Sequence, residues 1–257
     1  MTKVESYGII HQEQPNSDLE FNIEKFHRKG YVKISSEYKQ NELTKISEAF
    51  NKAKALYLKK YDLADSNLNS IRGLFALDKI FFAIAKNKSL LKFLNKVFDG
   101  KFIVNQQNGL INNPKKIYEQ GKWHRDLPYQ HFISSKVLAI NAIFCIDAFN
   151  DQNGTTKVLP CSQLFEKFPS KNYTLDNEVT IKAKAGEFIV LNAMTYHSGG
   201  FNGSKFSRRG INTVYSIPYI RHQIDLDYLQ FKYNLSKKDK EFLGFNYSSI
   251  KDIKKLF

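Results

Sequence analysis

The sequence predicts an α+β fold, a β-barrel or sandwich core with helices packed on it. Three observations carry that expectation. The first hundred residues are dominated by amphipathic helical patterning. Residues 101–220 hold several short strand-like runs divided by Gly, Asn and Pro turns. No long helices separate those runs, which disfavours a parallel α/β sheet. With 257 residues, 42% of them hydrophobic and 14% aromatic, the chain has enough apolar material for one domain with a sizeable core. The expected division of that single domain, 1–257, is a helical part 18–100, a β-core 101–220 and a C-terminal helical extension 221–257.

Residues 1–18 are polar and aperiodic and read as an extended arm. Asp18 to Lys29 reads as a short helix with Phe21, Lys25 and Phe26 on one side, stopped by Gly30; Tyr31 to Ile34 then alternates as a strand should. Residues 41–60 form an amphipathic helix, because Leu43, Ile46, Ala49, Phe50, Ala53 and Tyr57 make one stripe. Residues 61–73 are polar and read as a loop. Leu74–Lys86 and Ser89–Phe98 read as two more helices, with Ser89 as cap and Gly100 after the end. Strands are expected from Phe102 through Asn108, over Val137–Ile146, Thr155–Leu159, Val179–Lys184, Glu187–Asn192 and Ile211–Ile217. Helical pieces are expected to resume from Ser236 and over Tyr247–Phe257.

Composition narrows the function classes. The formal charge is +14, but only six of the 39 basic residues are Arg (28, 72, 125, 208, 209 and 221). The lysines are spread along the whole chain. Specific nucleic-acid recognition relies on Arg forks, so dispersed Lys argues for a solvated surface and against a nucleic-acid partner. A positive field still raises the local concentration of an anionic substrate. Two cysteines, Cys145 and Cys161, have no metal-type spacing and indicate no disulfide framework. No apolar run is long enough to span a membrane, and the first residues lack the apolar core of a signal peptide, so a cytoplasmic home is expected. Oligomeric state is not indicated.

The chemistry-bearing stretch is Trp123-His124-Arg125-Asp126. On a strand, residues i and i+2 share a face, so His124 and Asp126 aim one way and Arg125 the other. His197, at the end of an apolar run, is the candidate third ligand. Two imidazoles and one carboxylate that leave open positions are the signature of non-haem Fe(II) oxygenases. After a Gly-rich turn, Arg208, Gly210, Asn212 and Val214 share a small, polar face, and Arg209, Ile211, Thr213 and Tyr215 a bulkier one. Arg208 is therefore the expected inward cation, able to clamp a carboxylate with two parallel hydrogen bonds, and Arg209 the alternative. His11-Gln12-Glu13 repeats the His-x-acid spacing outside any strand and reads as a coincidence.

These residues resemble the phytanoyl-CoA dioxygenase family of Fe(II)- and 2-oxoglutarate-dependent oxygenases. The resemblance runs from Phe26…Gly30-Tyr31-Val32 through Trp123–Tyr129 and Asn153–Gln163 to Ala185-Gly186-Glu187, His197, Asn202, Ser204 and Arg208, with the family's spacing of eleven from His197 to Arg208. It implies a double-stranded β-helix (jelly-roll, cupin-like) core, with Fe(II) held by His124, Asp126 and His197. It also implies O2 and 2-oxoglutarate as co-substrates, the latter's C5 carboxylate on Arg208. Hydroxylation of a small or carrier-linked substrate, such as a sugar, an acyl thioester or a secondary metabolite, is the implied outcome. Asp126 stands where a halide would have to bind, which disfavours halogenation. Gln107, Asn105 and Trp123 are candidate linings of the co-substrate pocket, and Arg125, Tyr129 and His131 candidate substrate contacts. A structural salt bridge for Arg125, and packing or strand hydrogen bonding for Gln107, Asn105 and Trp123, are at least equal expectations. Two departures leave the substrate more open: Arg125 stands where the family often has Gln, and Cys161 and Gln163 where it usually has Gly and His. The competing readings are a metal-binding jelly roll without turnover and a Zn2+ hydrolase on the same ligands, which would have no use for the arginine.

Overall fold

The computed structural model of the protein describes residues 7–11, 13–98, 100–127 and 132–247. Helix α1 (Asp18–Lys29) begins on Ser17, whose Oγ accepts from the Glu20 amide, and ends at Gly30 in the left-handed conformation. Strand β1 (Tyr31–Ser35) and helix α2 (Gln40–Tyr61) follow. Strand β2 (Ser70–Arg72) lies in the stretch whose polarity predicted only a loop; three residues are too few to alternate visibly, and β2 is held by pairing with a later strand. The expected helix 74–86 is divided into a 3₁₀ turn, Leu74–Ala76, and α3 (Lys79–Ala85), because the Asp78 side chain accepts from the Ile80 amide and starts a new helix there. Asn87 rather than Ser89 caps α4 (Lys88–Val97).

The β-core comprises β3 (Ile103–Asn112), β4 (Ala139–Cys145), β5 (Thr156–Val158), β6 (Val179–Thr180), β7 (Glu187–Asn192), β8 (His197–Gly199) and β9 (Arg208–Ser216). Helix α5 (Lys171–Asn177), which the sequence reading did not anticipate, is inserted before β6. Two further helices, α6 (Leu229–Lys232) and α7 (Lys237–Phe242), follow β9. The helix expected over 247–257 lies outside the described residues except for Tyr247, which closes a 3₁₀ turn.

The described strands form two antiparallel sheets, one in the order β1-β7-β4-β9-β3-β2 and one in the order β6-β5-β8. From β4 onward the chain passes between them: β4 to β5 and β6, back to β7, across to β8, back to β9. That alternation is a jelly-roll core. The mainly helical N-terminal part thus contributes two strands to the larger sheet, the expected β1 and the unexpected β2.

Strand alternation sorts the core into two layers. Phe144, Phe188, Val190 and Tyr215 face outward and pack with Phe26, Phe50, Phe81 and Phe93 of the helices. Ile143, Cys145, Ile189 and Leu191 face inward and fill one end of the barrel with Phe149, Val158 and Ile181. Both faces of β4 and β7 are covered, so these strands read as continuous apolar runs. Each buried aromatic or branched side chain contributes about 1.5–3 kcal/mol, and the filled end leaves the opposite end for polar residues. No described helix is long and apolar enough to cross a membrane.

Candidate metal centre

The His124 segment docks on β8 through two backbone bonds, His124 N to His197 O at 3.0 Å and His197 N to His124 O at 3.1 Å, and Asp126 N donates to Ala193 O at 3.1 Å. This pairing sets the two imidazoles side by side, ring centroids 4.4 Å apart. The carboxylate bridges them: His124 Nε2 lies 3.5 Å from Asp126 Oδ1, and His197 Nε2 3.3 Å from Asp126 Oδ2. Strand β7 ends at Asn192 as expected, but His197, expected to end that apolar run, instead opens β8 after a turn. Among the described residues this is the cluster of three His, Cys, Asp or Glu side chains whose ligand atoms all lie within 4.8 Å of one another. His11 is exposed and apart from it.

Each imidazole is oriented by the carbonyl two residues before it. His124 Nδ1 lies 2.7 Å from Lys122 O and His197 Nδ1 3.0 Å from Thr195 O. With the proton on Nδ1, the Nε2 lone pair of both rings faces the shared point, the tautomer a metal requires. Burial pushes the His124 imidazole down, but the hydrogen bond and charge of Asp126 and the Lys122 carbonyl outweigh it and leave it above its usual value. Burial alone would raise the Asp126 carboxyl; the charge of His197 and the bonds to both rings hold it well below the usual carboxylate range.

A cavity of about 300 Å³ opens beside the triad and reaches Arg208. Arg208 is buried, its guanidinium 3.9 Å over the Phe149 ring, with Nη2 donating to Gly154 O at 3.1 Å. Desolvation lowers its pKa to about 10, so it remains a cation at neutral pH. Asn112 Nδ2 donates to the same Gly154 carbonyl at 3.1 Å and to Gly200 O at 2.9 Å, and Asn202 Nδ2 to Asn112 O at 2.7 Å, which ties the Asn153-Gly154-Thr155 motif to β3. Arg209 points the other way, into a two-pronged pairing with Asp147 and a bond to Asn51.

Several expected site residues lie elsewhere. Gln107 faces the helices: its Nε2 donates to Phe81 O at 2.9 Å and to Thr213 Oγ1 at 3.0 Å. The cause is a bulge at Asn105, where the β3–β9 register shifts between Val104 and Gln106 and the inward face passes to the even-numbered residues. Gln106 and Asn108 line the cavity instead, and Asn105 holds the carbonyls of Ile220 and Arg221. Trp123 packs on Phe168, ring centroids 5.8 Å apart, away from the cavity. Arg125 is buried among protein groups, donating to the carbonyls of Ser162, Phe165, Glu166 and Phe132 and stacking 4.0 Å over Tyr196. Of the two expectations for Arg125, these contacts favour the structural one over the substrate contact. Tyr129 and His131 lie outside the described residues. Gln163 Nε2 donates to the His27 and Arg28 carbonyls and fastens α1, and Cys161 adopts a φ of 65°, the conformation that favours the glycine usual there.

Sequence reasoning missed Asn141 and Asn212. Asn141 is 1% exposed and neither polar atom of its amide has a partner; Asn212 Oδ1 and Arg208 Nε are likewise buried and unpaired. All three residues line the cavity. Asn141 sits inside an apolar strand, which is the signal that marks it. These orphaned groups and the nitrogen–oxygen donor set suit a divalent metal with a small polar ligand beside it.

A jelly roll with a two-histidine, one-carboxylate centre at its polar end defines a class of metal-site barrels. The sequence profile of the phytanoyl-CoA dioxygenase (PhyH) family matches residues 26–210, and the chain belongs to that family. It is 27% identical over 165 residues to the uncharacterized protein Rv1501 of Mycobacterium tuberculosis, a match covering 62% of this chain and 59% of that protein's length. The fold is similar to that of EctD from S. alaskensis, crystallised with 2-oxoglutarate and 5-hydroxyectoine (TM-score 0.66, 18% identity, 80% of this chain and 79% of that one). It is also similar to the epimerase SnoN from nogalamycin biosynthesis, crystallised with Fe3+, α-ketoglutarate and nogalamycin RO (TM-score 0.64, 17% identity, 81% and 90%).

Proposed function

We propose that this protein is a non-haem Fe(II)- and 2-oxoglutarate-dependent oxygenase that hydroxylates a small or carrier-linked metabolite. The observation that carries the reading is one cavity bounded by His124, Asp126 and His197 and by the buried cation Arg208. The overall reaction balances as R–H + O2 + 2-oxoglutarate → R–OH + succinate + CO2. Iron(II) held by His124, Asp126 and His197 would supply the oxygen activation and the oxidative decarboxylation of the co-substrate.

The chain's own groups do the rest. The carbonyls of Lys122 and Thr195 fix which imidazole nitrogen faces the ligand point. Arg208, desolvated yet still charged, holds the distal carboxylate of 2-oxoglutarate; Nε and Nη1, which donate to no protein acceptor, are available for it. Phe149 covers one face of the guanidinium and keeps water from competing there. Asn141 and Asn212 supply neutral donors and acceptors along the wall between.

The test is anaerobic titration of the metal-free protein with Fe(II) and then 2-oxoglutarate, followed by visible absorption. A weak charge-transfer band is expected in the wild type, absent in His124→Ala. In Arg208→Ala, half-saturation is expected at roughly tenfold or more higher 2-oxoglutarate, for loss of a buried charge-assisted bond. Absence of both the band and 2-oxoglutarate binding in the iron-loaded wild type would sink the oxygenase reading, leaving a metal-binding jelly roll or a Zn2+ hydrolase.

A further inference from the structure

The cavity holds a second arginine that the triad and the co-substrate do not use. Four strands place one residue each in a single row on its wall: Ile143 of β4 opposite Asn212 of β9, Asn212 opposite Asn108 of β3, and Asn108 opposite Arg72 of β2. Arg72 ends that row on the edge strand, at the cavity mouth. With its amide turned so that the oxygen faces the guanidinium, Asn108 accepts from Arg72 Nη1 at 3.2 Å. Arg208 lies four residues along β9 from Asn212, roughly 13 Å at the usual strand rise, while Arg72 is two strands across, about 10 Å. The two backbone positions are thus separated by more than the length of a five-carbon diacid, and Arg208 is held at its end by Gly154 and Phe149.

Arg72 is exposed at the mouth, and among the described residues no carboxylate lies within salt-bridge distance of it. Asp126, a member of the triad, is the acidic side chain on the cavity wall. Beyond Arg72 the cavity continues into a groove that shares Arg72, Gln106 and Gln223 and adds Lys60, Tyr61 and Tyr228, again with no acidic lining residue. One cavity therefore has two uncompensated cationic points at separate ends. The wall between them is rich in amides (Gln106, Asn108, Asn141, Asn212, Gln223), and its aliphatic part is confined to Leu110, Ile111 and Ile143. Side-chain amides donate and accept at once, which matches hydroxyl groups and is wasted on hydrocarbon.

We propose that the prime substrate is a hydroxyl-rich small molecule carrying an anionic group, phosphate above all, whose charge is held at the mouth by Arg72 with Lys60 and whose hydroxyls meet the amide wall. The assignment rests on the oxygenase reading for what happens to that molecule, but the binding site itself is defined by Arg72 and the amides. It separates this site from one built for a fatty acyl chain, which would need an apolar tunnel in place of the amide row.

Calorimetric titration of the full chain tests it, both metal-free and loaded anaerobically with Fe(II) and 2-oxoglutarate. The probes are glucose 6-phosphate and UDP-glucose as hydroxyl-rich anions, glucose as the neutral polyol and decanoate as the apolar anion. The two phosphorylated sugars are expected to bind at least tenfold tighter than glucose or decanoate. Arg72→Ala should weaken them by about tenfold, the loss of one charge-assisted contact, and Arg72→Lys by less. Equal binding of glucose or decanoate, no binding by any probe, or wild-type binding in Arg72→Ala overturns the proposal. The charge-transfer band, read in the same loaded samples, separates the two ideas. A band without sugar-phosphate binding sinks the substrate class alone. Sugar-phosphate binding without a band sinks the oxygenase reading alone.

Discussion

Replacing Arg125 with alanine removes a buried guanidinium from between two metal-ligand candidates without touching either. Arg125 is 1% exposed and donates to Ser162 O at 2.8 Å, to Glu166 O and Phe132 O at 3.3 Å each, and to Phe165 O. Each bond from a charged donor is worth about 1.5–3 kcal/mol, and a desolvated cation–π contact such as that with Tyr196 about 2 kcal/mol. Against that gross sum stands the several kcal/mol recovered when the guanidinium no longer has to be desolvated, and water entering the vacated space satisfies some of the carbonyls. The net expectation is a loss of about 3–5 kcal/mol, the usual cost of breaking a buried charged network. For a chain of this size that is roughly a 10 °C fall in Tm. The neighbouring Tyr196, adjacent to His197, donates its hydroxyl to Glu166 O at 2.7 Å, so the same loop braces both ligand segments. Fe(II) affinity should therefore fall as well, by about tenfold, as for other supports of metal ligands. Arg125→Lys should recover only part of both losses, because one ammonium cannot present a planar fork to four acceptors. Calorimetric melting and anaerobic Fe(II) titration measure the two effects. A variant with wild-type Tm and Fe(II) affinity but impaired substrate binding refutes this reasoning and restores Arg125 to the substrate.

Three further substitutions separate neighbouring residues by role. Gly154→Ala places a Cβ 2.3 Å from Gly200 O at a φ of 74°, so the backbone that receives Arg208 must move; a loss of about 1–3 kcal/mol in urea melts and a higher 2-oxoglutarate requirement are expected. Gln107→Ala removes the side-chain donor to Phe81 O and Thr213 Oγ1 and should cost about 1–3 kcal/mol, with half-saturation by 2-oxoglutarate as in the wild type; a raised requirement would return Gln107 to the cavity. Arg209→Ala breaks the partly exposed pair with Asp147, worth about 1 kcal/mol or less after solvent screening, and leaves the 2-oxoglutarate titration where it was, in contrast to Arg208→Ala.

Period alone carried some features and could not carry others. The stripe Ile46, Phe50, Ala53 on α2 is buried as its spacing requires, and the parity of β9 separates Arg208 from Arg209 because that strand runs in unbroken register with β4 from Cys145–Gly210 to Ala139–Ser216. The same parity argument fails on β3, where a single extra residue at Asn105 exchanges the two faces. A bulge leaves no residue-type signature in Asn105-Gln106-Gln107-Asn108, since all four side chains suit either face. The partners of Arg125 were illegible for a different reason. Alternation correctly turned it away from His124 and Asp126, but what lies on that side is a loop some 37–41 residues further on in sequence. Carbonyl acceptors belong to every residue, so no side-chain pattern announces them.

The orphaned amides show where such a reading can be extended without a structure. Asn141 interrupts the apolar run of β4, a strand covered on both faces, and a polar side chain there must either find a partner or be kept for a ligand. Its two unpaired atoms, the buried Nε of Arg208 and the Oδ1 of Asn212 share one property: each would be costly in a barrel that stayed empty. Packing cannot account for these groups, whereas Trp123, the Nε2 of Gln107 and the Nη groups of Arg125 are all held by partners within the protein. The distinction between a polar group whose partner is in the chain and one whose partner is not divides the site here more sharply than proximity to the His-x-Asp motif does.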